Sequence, residues 1–342
     1  MLLPVIALLT VLATAPEGLE IHYIDTEGGA ATLLVTPTGE SVLIDCGNPG
    51  KRDAERIFEK CKALKLKQID HLIITHWHLD HYGSVGPLSK LIPIGQYWDR
   101  GIPDKLDEDK AHFPVLIRDY KTASKGKSQR VKPGDVIPLK QIEGGVKLEM
   151  RVVCASGEVV PHHDGLPANP LAKQHKPKPE DKSDNAKSVG VVMSYGPWRF
   201  LNLGDLTWNV EYQLVAPSNR LGLVDLYQVT HHGLDISNNP ILIQSVAPRV
   251  AIFNNGPRKG AMPSVLRTLQ KLPSIEGIFQ MHRNLNPTAD NTDADKIAND
   301  ARNKQSGRGL VVRVAADGQS YTVTVERTGK SFVYKTRGAA KE

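Results

Sequence analysis

The chain is predicted to fold as an α/β sandwich: two mixed β-sheets with helices on their outer faces. Three observations carry this prediction. Short apolar, β-branched runs recur along the 342 residues. Segments with apolar residues at helical spacing alternate with those runs instead of collecting at one end. Gly and Pro turn signals separate them, and no fixed short period marks a repeat architecture. At 40% hydrophobic and 23% charged residues the composition is that of a globular chain, which excludes disordered and fibrous classes. Its length allows a sizeable core.

Taken in order, Met1–Ala15 reads MLLPVIALLTVLATA. It is too short to span a bilayer and ends in the A-x-A-like Ala13-Thr14-Ala15, so it reads as a signal peptide, although no basic residue precedes it. The alternative is a buried N-terminal strand. The mature chain is then expected to be one domain over 16–335, periplasmic or secreted from a bacterium, with no stable membrane insertion after processing. LEIHYID and ATLLVTP are strand runs, and ESVLIDCG follows the Thr38-Gly39 turn signal. DAERIFEKCKALKL is an amphipathic helix and IDHLIIT a buried strand. Gly101–Lys140 is weakly patterned, with an exposed loop at KTASKGKSQRVKPGD.

VKLEMRVVCAS is a further strand. Residues 161–187 form a polar insertion of interleaved proline and charge, expected as a mobile surface loop. SVGVVMSYG and WRFLNLGD pair as a hairpin around Gly196-Pro197. EYQLVAP is helical, VDLYQVTHHG a strand entering a loop, RVAIFNNG a strand, and PSVLRTLQKL a helix with Pro263 near its start. The C-terminal GLVVRVAADGQSYTVTVE is a β-hairpin around Asp317-Gly318.

Lys plus Arg number 43 against 37 Asp plus Glu, a net charge of +6, which suits an anionic partner as well as a solvated basic face. The three cysteines, Cys46, Cys61 and Cys154, match no C-x-x-C zinc pattern and cannot all pair within one chain. The chemistry concentrates instead in LIITHWHLDHYGSVG, Leu72–Gly86. His76, His78, Asp80 and His81 fall within six positions after a buried strand. Imidazole and carboxylate are zinc-type ligands. Split in pairs over one turning loop, they suit two metals about 3.5–4 Å apart.

HWHLDH resembles the H-x-H-x-D-H signature of the metallo-β-lactamase superfamily. VLIDCG resembles its early strand, with Asp45 as supporting acid; FLNLGDL resembles the strand carrying the bridging aspartate, here Asp205; LYQVTHHG resembles its late-histidine motif. The H-H-G form and DNAKSVGVVMSYG resemble the branch related to the extracellular domain of the DNA-uptake (competence) channel protein. The resemblance covers Leu19–Leu272. It implies an αββα sandwich and two zinc ions, with other divalent transition metals also acceptable. One ion would take His76, His78 and Asp205; the other would take Asp80, His81, Asp205 and His231. The family usually adds a histidine to the first site. His162 or His163, in VVPHHDG, offers it, against the reading of an exposed loop pair. Of the late pair His231 is preferred as ligand. His232 then lines the pocket, contacts substrate or packs, and Asp80 and His232 are the catalytic candidates.

The resemblance implies a metal-dependent hydrolase using a metal-bound hydroxide, since a metal can lower the pKa of water from 15.7 to about 7. Phosphodiester or nucleic acid is the favoured substrate, on the branch resemblance and the basic balance. An ester, lactone or β-lactam hydrolase on the same site is the rival enzyme, because fold does not determine substrate. A non-catalytic metal-holding binding module is the rival outside enzymes. NNGPRKG offers Arg258 or Lys259 to an anionic substrate group, and Lys121–Lys132 offers further cations. Trp77 and Trp208 flank ligand positions and suit either a pocket wall or core packing. His22, His71, His112, His175 and His282 read as structural or surface residues.

Overall fold

The computed structural model describes residues 18–300 and 307–338; the Met1–Ala15 segment expected as a signal lies outside the described residues. The chain opens with an antiparallel meander: β1 (Leu19–Tyr23), β2 (Thr32–Val35) and β3 (Ser41–Ile44). α1 (Lys51–Ala63) buries Ala54, Ile57 and Cys61, a stripe at helical spacing, and leads to β4 (Ile69–Ile73), parallel to β3. α2 (Leu79–Tyr82) and α3 (Val85–Leu91) follow, then β5 (Ile94–Asp99), α4 (Phe113–Ala123) and β6 (Gln129–Arg130), with β4, β5 and β6 parallel. The weakly patterned stretch thus holds a helix. Phe113, Ile117 and Tyr120 form its buried stripe, which charged neighbours mask in a window average.

A second sheet begins with β7 (Val136–Ile137), β8 (Leu148–Ala155), β9 (Glu158–Val159), β10 (Gly190–Tyr195) and β11 (Trp198–Asn202), all antiparallel. Tyr195 pairs with Trp198, so the hairpin turns at Gly196-Pro197 as predicted. α5 (Trp208–Gln213), β12 (Leu226–Gln228), α6 (Pro240–Val246), β13 (Val250–Phe253), α7 (Pro263–Gln270), β14 (Gly277–His282) and β15 (Ile297–Asn299) complete it with parallel strands from β11 onward. β16 (Leu310–Val314), β17 (Ser320–Val325) and β18 (Ser331–Lys335) return to the first sheet beside β1, so the expected C-terminal hairpin gains a third strand.

The first sheet runs β18-β17-β16-β1-β2-β3-β4-β5-β6 and the second β15-β14-β13-β12-β11-β10-β8-β7, with β9 on β8. Ile21, Leu34, Ile44 and Ile73 of the first sheet meet Met150, Val191, Phe200 and Ile252 of the second in one apolar layer. Outer clusters join Leu43 and Leu72 to Ile57, Leu88 and Ile117 of the helices, and Leu201 and Ala251 to Leu242 and Leu266. The architecture is the αββα sandwich of the metallo-β-lactamase fold. Among the described residues no helix is long and apolar enough to cross a membrane.

The parallel strands of both sheets end at one edge, and groups carrying chemistry collect outside such carboxyl ends. Thr75, just past β4, is tied to the second sheet by Val189 N–H donating to its carbonyl at 2.8 Å. The polar stretch 161–187 runs over the surface, mostly exposed, and makes contacts with the second sheet's side of the molecule. Asn169 Nδ2 donates to Val215 O at 2.8 Å, the indole of Trp208 donates to Lys176 O at 2.9 Å, and the His175 ring stacks on Tyr212 with centroids 3.8 Å apart. A composition rich in proline and charge reads as disorder only where such partners are missing.

Candidate metal centre

Five loops deliver the site. The turn after β4 carries His76, His78, Asp80 and His81; that after β3 carries Asp45; that after β11 carries Asp205; that after β12 carries His231 and His232; that after β13 carries Lys259. Asp205 lies at the middle. Its Oδ2 is 3.2 Å from His81 Nε2, 3.3 Å from His232 Nε2, 3.4 Å from His231 Nε2 and 4.0 Å from His76 Nε2. Asp80 Oδ2 is 3.3 Å from His232 Nε2 and 3.5 Å from His81 Nε2. His78 Nδ1 is 3.1 Å from His76 Nε2. His76, His81 and Asp205 form one group whose ligand atoms fit around an ion, and Asp80, His81 and His232 form another.

Each imidazole turns one nitrogen into this space and anchors the other. Thr75 Oγ1 donates to Asp45 Oδ2 at 2.8 Å, so it accepts from His76 Nδ1 at 3.0 Å and leaves His76 Nε2 free to ligate. His81 Nδ1 donates to Asp45 Oδ2 at 2.7 Å. His232 Nδ1 faces the carbonyl of Asn254 at 3.2 Å, which can only accept. His231 Nδ1 meets Ser237 Oγ at 3.1 Å. His78 alone is reversed: its Nε2 lies 3.4 Å from Glu108 Oε1, so its Nδ1 faces inward. A neutral ring with one nitrogen held by an outer acceptor and the other directed at a shared point is the arrangement of metal-ligating histidine. The donor set therefore fits divalent transition metals.

Charge supports the same fit. Burial pushes the pKa of Asp45 up despite His81 and Thr75. Burial also opposes charge on Asp205, but His232, His81 and His231 outweigh it and hold that carboxyl well below its ordinary value. For His81, burial disfavours the charged ring, and Asp205, Asp45 and Asp80 overcome it to hold the pKa well above the usual imidazole value. Burial lowers His231 to about 4 and His76 well below its ordinary value. Two buried carboxyls, Asp45 and Asp205, and the partly exposed Asp80 thus converge on the same histidines, which calls for positive charge there.

The backbone is strained to reach this geometry. His231 and His232 have φ of 53° and 54°, the left-handed region, costing about 1–3 kcal/mol each. His231 N donates to Gly204 O at 3.0 Å, Ala261 N to His232 O at 2.8 Å, and Asn238 Nδ2 to Thr230 O at 2.8 Å, which together hold the turn. Gly233 must follow, because a Cβ there would lie 2.4 Å from the Phe253 ring.

Several sequence expectations change here. His162 and His163 are both exposed, and neither joins the cluster. Val160 packs in the outer core and its carbonyl accepts from Arg220 Nη1 at 3.0 Å, so the chain leaves for the surface just before the pair. The preference within the late pair also shifts. His232 is the residue packed against Asp80 and His81, while His231 reaches Asp205 from the other side. Trp77 is a core residue, its ring against Tyr82 and Tyr120. His71 is structural, bonded to Glu40 at 3.1 Å and to the Trp98 indole at 3.1 Å. Cys46, Cys61 and Cys154 are buried free thiols.

Sequence reasoning missed Asp184 and Glu108. Asp184, fully buried, accepts from Trp77 N at 2.6 Å and pairs with Arg100, so it clamps the H-x-H turn from below. Its own N donates to Glu108 Oε1 at 2.7 Å. The signal was present in DNAKS, an acid just ahead of a strand that returns to the site.

Residues 25–165 match the model of the Metallo-beta-lactamase superfamily. Among curated proteins, a UPF0173 metal-dependent hydrolase of Koribacter versatilis (strain Ellin345) is 34% identical over 77 residues, 22% of this chain and 28% of that protein. An Integrator complex subunit 11 homolog of Dictyostelium discoideum is 30% identical over 108 residues, 27% of this chain and 12% of that protein. The chain thus spans less than a third of the length of these relatives. Among solved structures, the metallo-beta-lactamase fold protein YhfI of Bacillus subtilis has a TM-score of 0.44 at 14% identity, covering 76% of this chain and 96% of that one.

Proposed function

Starting from a chain whose residues 25–165 belong to the metallo-β-lactamase superfamily, we propose a hydrolase that works with two divalent cations, expected to be zinc, on phosphodiesters. The observation that carries the metal-dependent part is the set of five histidines that each anchor one ring nitrogen and turn the other inward, around Asp205. His76, His78 and His231 with Asp205 would hold one cation; Asp80, His81 and His232 with Asp205 would hold the other. Asp205, whose Oδ2 lies 3.2 Å from His81, 3.3 Å from His232 and 3.4 Å from His231, would be common to both sets, and Gly204 (φ 55°) lets its backbone come close to Thr75. When bound, the cations supply Lewis acidity, lowering the pKa of water and polarising the scissile ester.

The chain's own residues do the rest. Asp45, Thr75, Asn254, Ser237 and Glu108 hold the outer nitrogens of the imidazoles, so the inner nitrogens already face the shared space. Asp80, 15% exposed, is a carboxylate with access to solvent and would accept a proton from an attacking water. A cleft of about 380 Å³ opens beside Glu108, the partner of His78; of its cations Arg100 is paired with Asp184 and Lys105 with Asp107, which leaves Lys182 and Lys187 to face an anion. Such cations beside the centre support an anionic, phosphodiester substrate.

The test is elemental analysis of zinc-supplemented protein, followed by turnover of bis-p-nitrophenyl phosphate, DNA, a lactone and a β-lactam. Two ions per chain with the phosphodiester or DNA cleaved fastest is expected. Fewer than one ion overturns the metal assignment. Lactone or β-lactam hydrolysis alone overturns the substrate, and two ions with no turnover indicates a binding module.

A further inference from the structure

Among the described residues, one cation reaches into the centre without belonging to its ligand set. Lys259 Nζ contacts Asp80 Oδ2, the same oxygen that faces His81 and His232. Its ammonium rests on Asp80 while the side chain as a whole stays 41% exposed. Arg258, its neighbour, is exposed and gives only its backbone carbonyl, to Asn286 at 3.1 Å. The loop therefore sorts two adjacent cations, one inward and one outward.

That loop is stiff. Gly256 N donates to Lys259 O at 3.0 Å, closing the turn, and Leu285 N donates to Pro257 O at 2.8 Å. Asn284 Nδ2 donates to the carbonyls of Gly260 and Ala261 at 3.0 and 3.2 Å. At Gly260 (φ +78°) a Cβ would lie 2.1 Å from His232 O, so the backbone is pressed against the late-histidine turn. Lys259 is thus delivered to one place by backbone contacts, while its four-carbon stem keeps freedom to move the charge.

The functional reading above gives the Asp80 oxygen to a divalent cation. An ammonium and a dication on the same oxygen repel each other, so a cation engaging Asp80 weakens the hold of Asp80 on Lys259. The exposed side of Lys259 is the direction in which its stem can turn the ammonium. We propose that Lys259 selects an anionic substrate: it rests on Asp80 in the metal-free chain and, once a cation engages Asp80, turns to hold an oxyanion of the substrate, a phosphoryl oxygen being the matching group. This rests on the metal-dependent hydrolase reading and adds a residue that discriminates substrate by charge.

The experiment uses the full chain loaded with zinc, as wild type, K259M, K259R and the outward control R258M. Inorganic phosphate is titrated by calorimetry, and KM and kcat are measured on bis-p-nitrophenyl phosphate and on neutral p-nitrophenyl acetate. We expect K259M to weaken phosphate binding and raise KM for the charged ester about tenfold or more, the loss of one charge-assisted hydrogen bond. KM for the neutral ester stays unchanged, K259R restores most of the loss, and R258M behaves as wild type. Equal effects of K259M on both esters, or an unchanged phosphate affinity, overturn the proposal. So does a K259M protein that only binds zinc more tightly, which would make Lys259 a counter-ion of Asp80 and nothing more. If the wild type turns over neither ester, the hydrolase reading fails separately, and the phosphate titration alone judges Lys259.

Discussion

Replacing Asp184 with alanine should be among the most damaging changes outside the ligand set. Asp184 is fully buried, Arg100 is 7% exposed, and the carboxylate also accepts the backbone N–H of Trp77. Removing it strands a guanidinium in a dry site and leaves a buried N–H without a partner. Breaking a buried pair from one side costs about 3–5 kcal/mol, because the remaining charge is uncompensated. The pair is too buried for solvent screening to reduce this. Against a total stability of about 5–15 kcal/mol the loss is large, and for a chain of this length it lowers the thermal midpoint by about 5–8 °C. Trp77 lies between His76 and His78, so zinc occupancy should fall with stability. Calorimetry and metal analysis on Asp184→Ala, Asp184→Asn and Arg100→Met/Asp184→Leu check this. Asn keeps an acceptor for Trp77 and should lose less. The double variant removes both charges and should recover part of the stability. A midpoint within about 1 °C of wild type for Asp184→Ala, or a double variant worse than the single, would refute the reasoning.

Three further outcomes are expected. Asp205→Ala should lose both ions and all turnover, whereas His162→Ala and His163→Ala should keep both, as metal content would report; ion loss from either histidine variant contradicts their exposed placement. Burial raises Glu211 from 4.5 to about 7. The folded chain then holds a proton that the unfolded chain has released between those values, so stability falls as pH rises from about 4.5 to about 7, by about 3 kcal/mol in all. Denaturant titrations at several pH values should show that slope weakened in Glu211→Gln, and an identical slope in both proteins counts against it. Cleavage of DNA should fall steeply with added salt while that of a small neutral ester does not; a parallel response on both sides argues for a neutral substrate.

Much of this molecule is legible locally. The H-x-H-x-D-H turn declares its chemistry because four ligand-type side chains in six positions have few other uses, and a buried strand ahead of them makes the loop a fixed platform. Asp205 could be anticipated from the strand residues Phe200 and Leu201 and from Leu203 ahead of Gly204, which deliver it at a strand end. The sandwich itself follows from period-two and period-3.6 patterns, which are properties of neighbouring residues. Helix α4 escaped because its stripe of Phe113, Ile117 and Tyr120 is diluted by charges that face solvent. Other features depend on residues far apart in sequence. Whether His162, His231 or His232 faces Asp205 is decided by where Val160 enters the outer core and by the left-handed turn at residues 231–232, and neither has a local signature. The clamp of Asp184 on Trp77 joins positions 107 apart, and Lys259 meets Asp80 across 179. Such contacts exist only once both sheets have packed and brought the ends of their parallel strands to one edge, so a linear pattern can propose the ligands while the tertiary fold selects which of them share an ion.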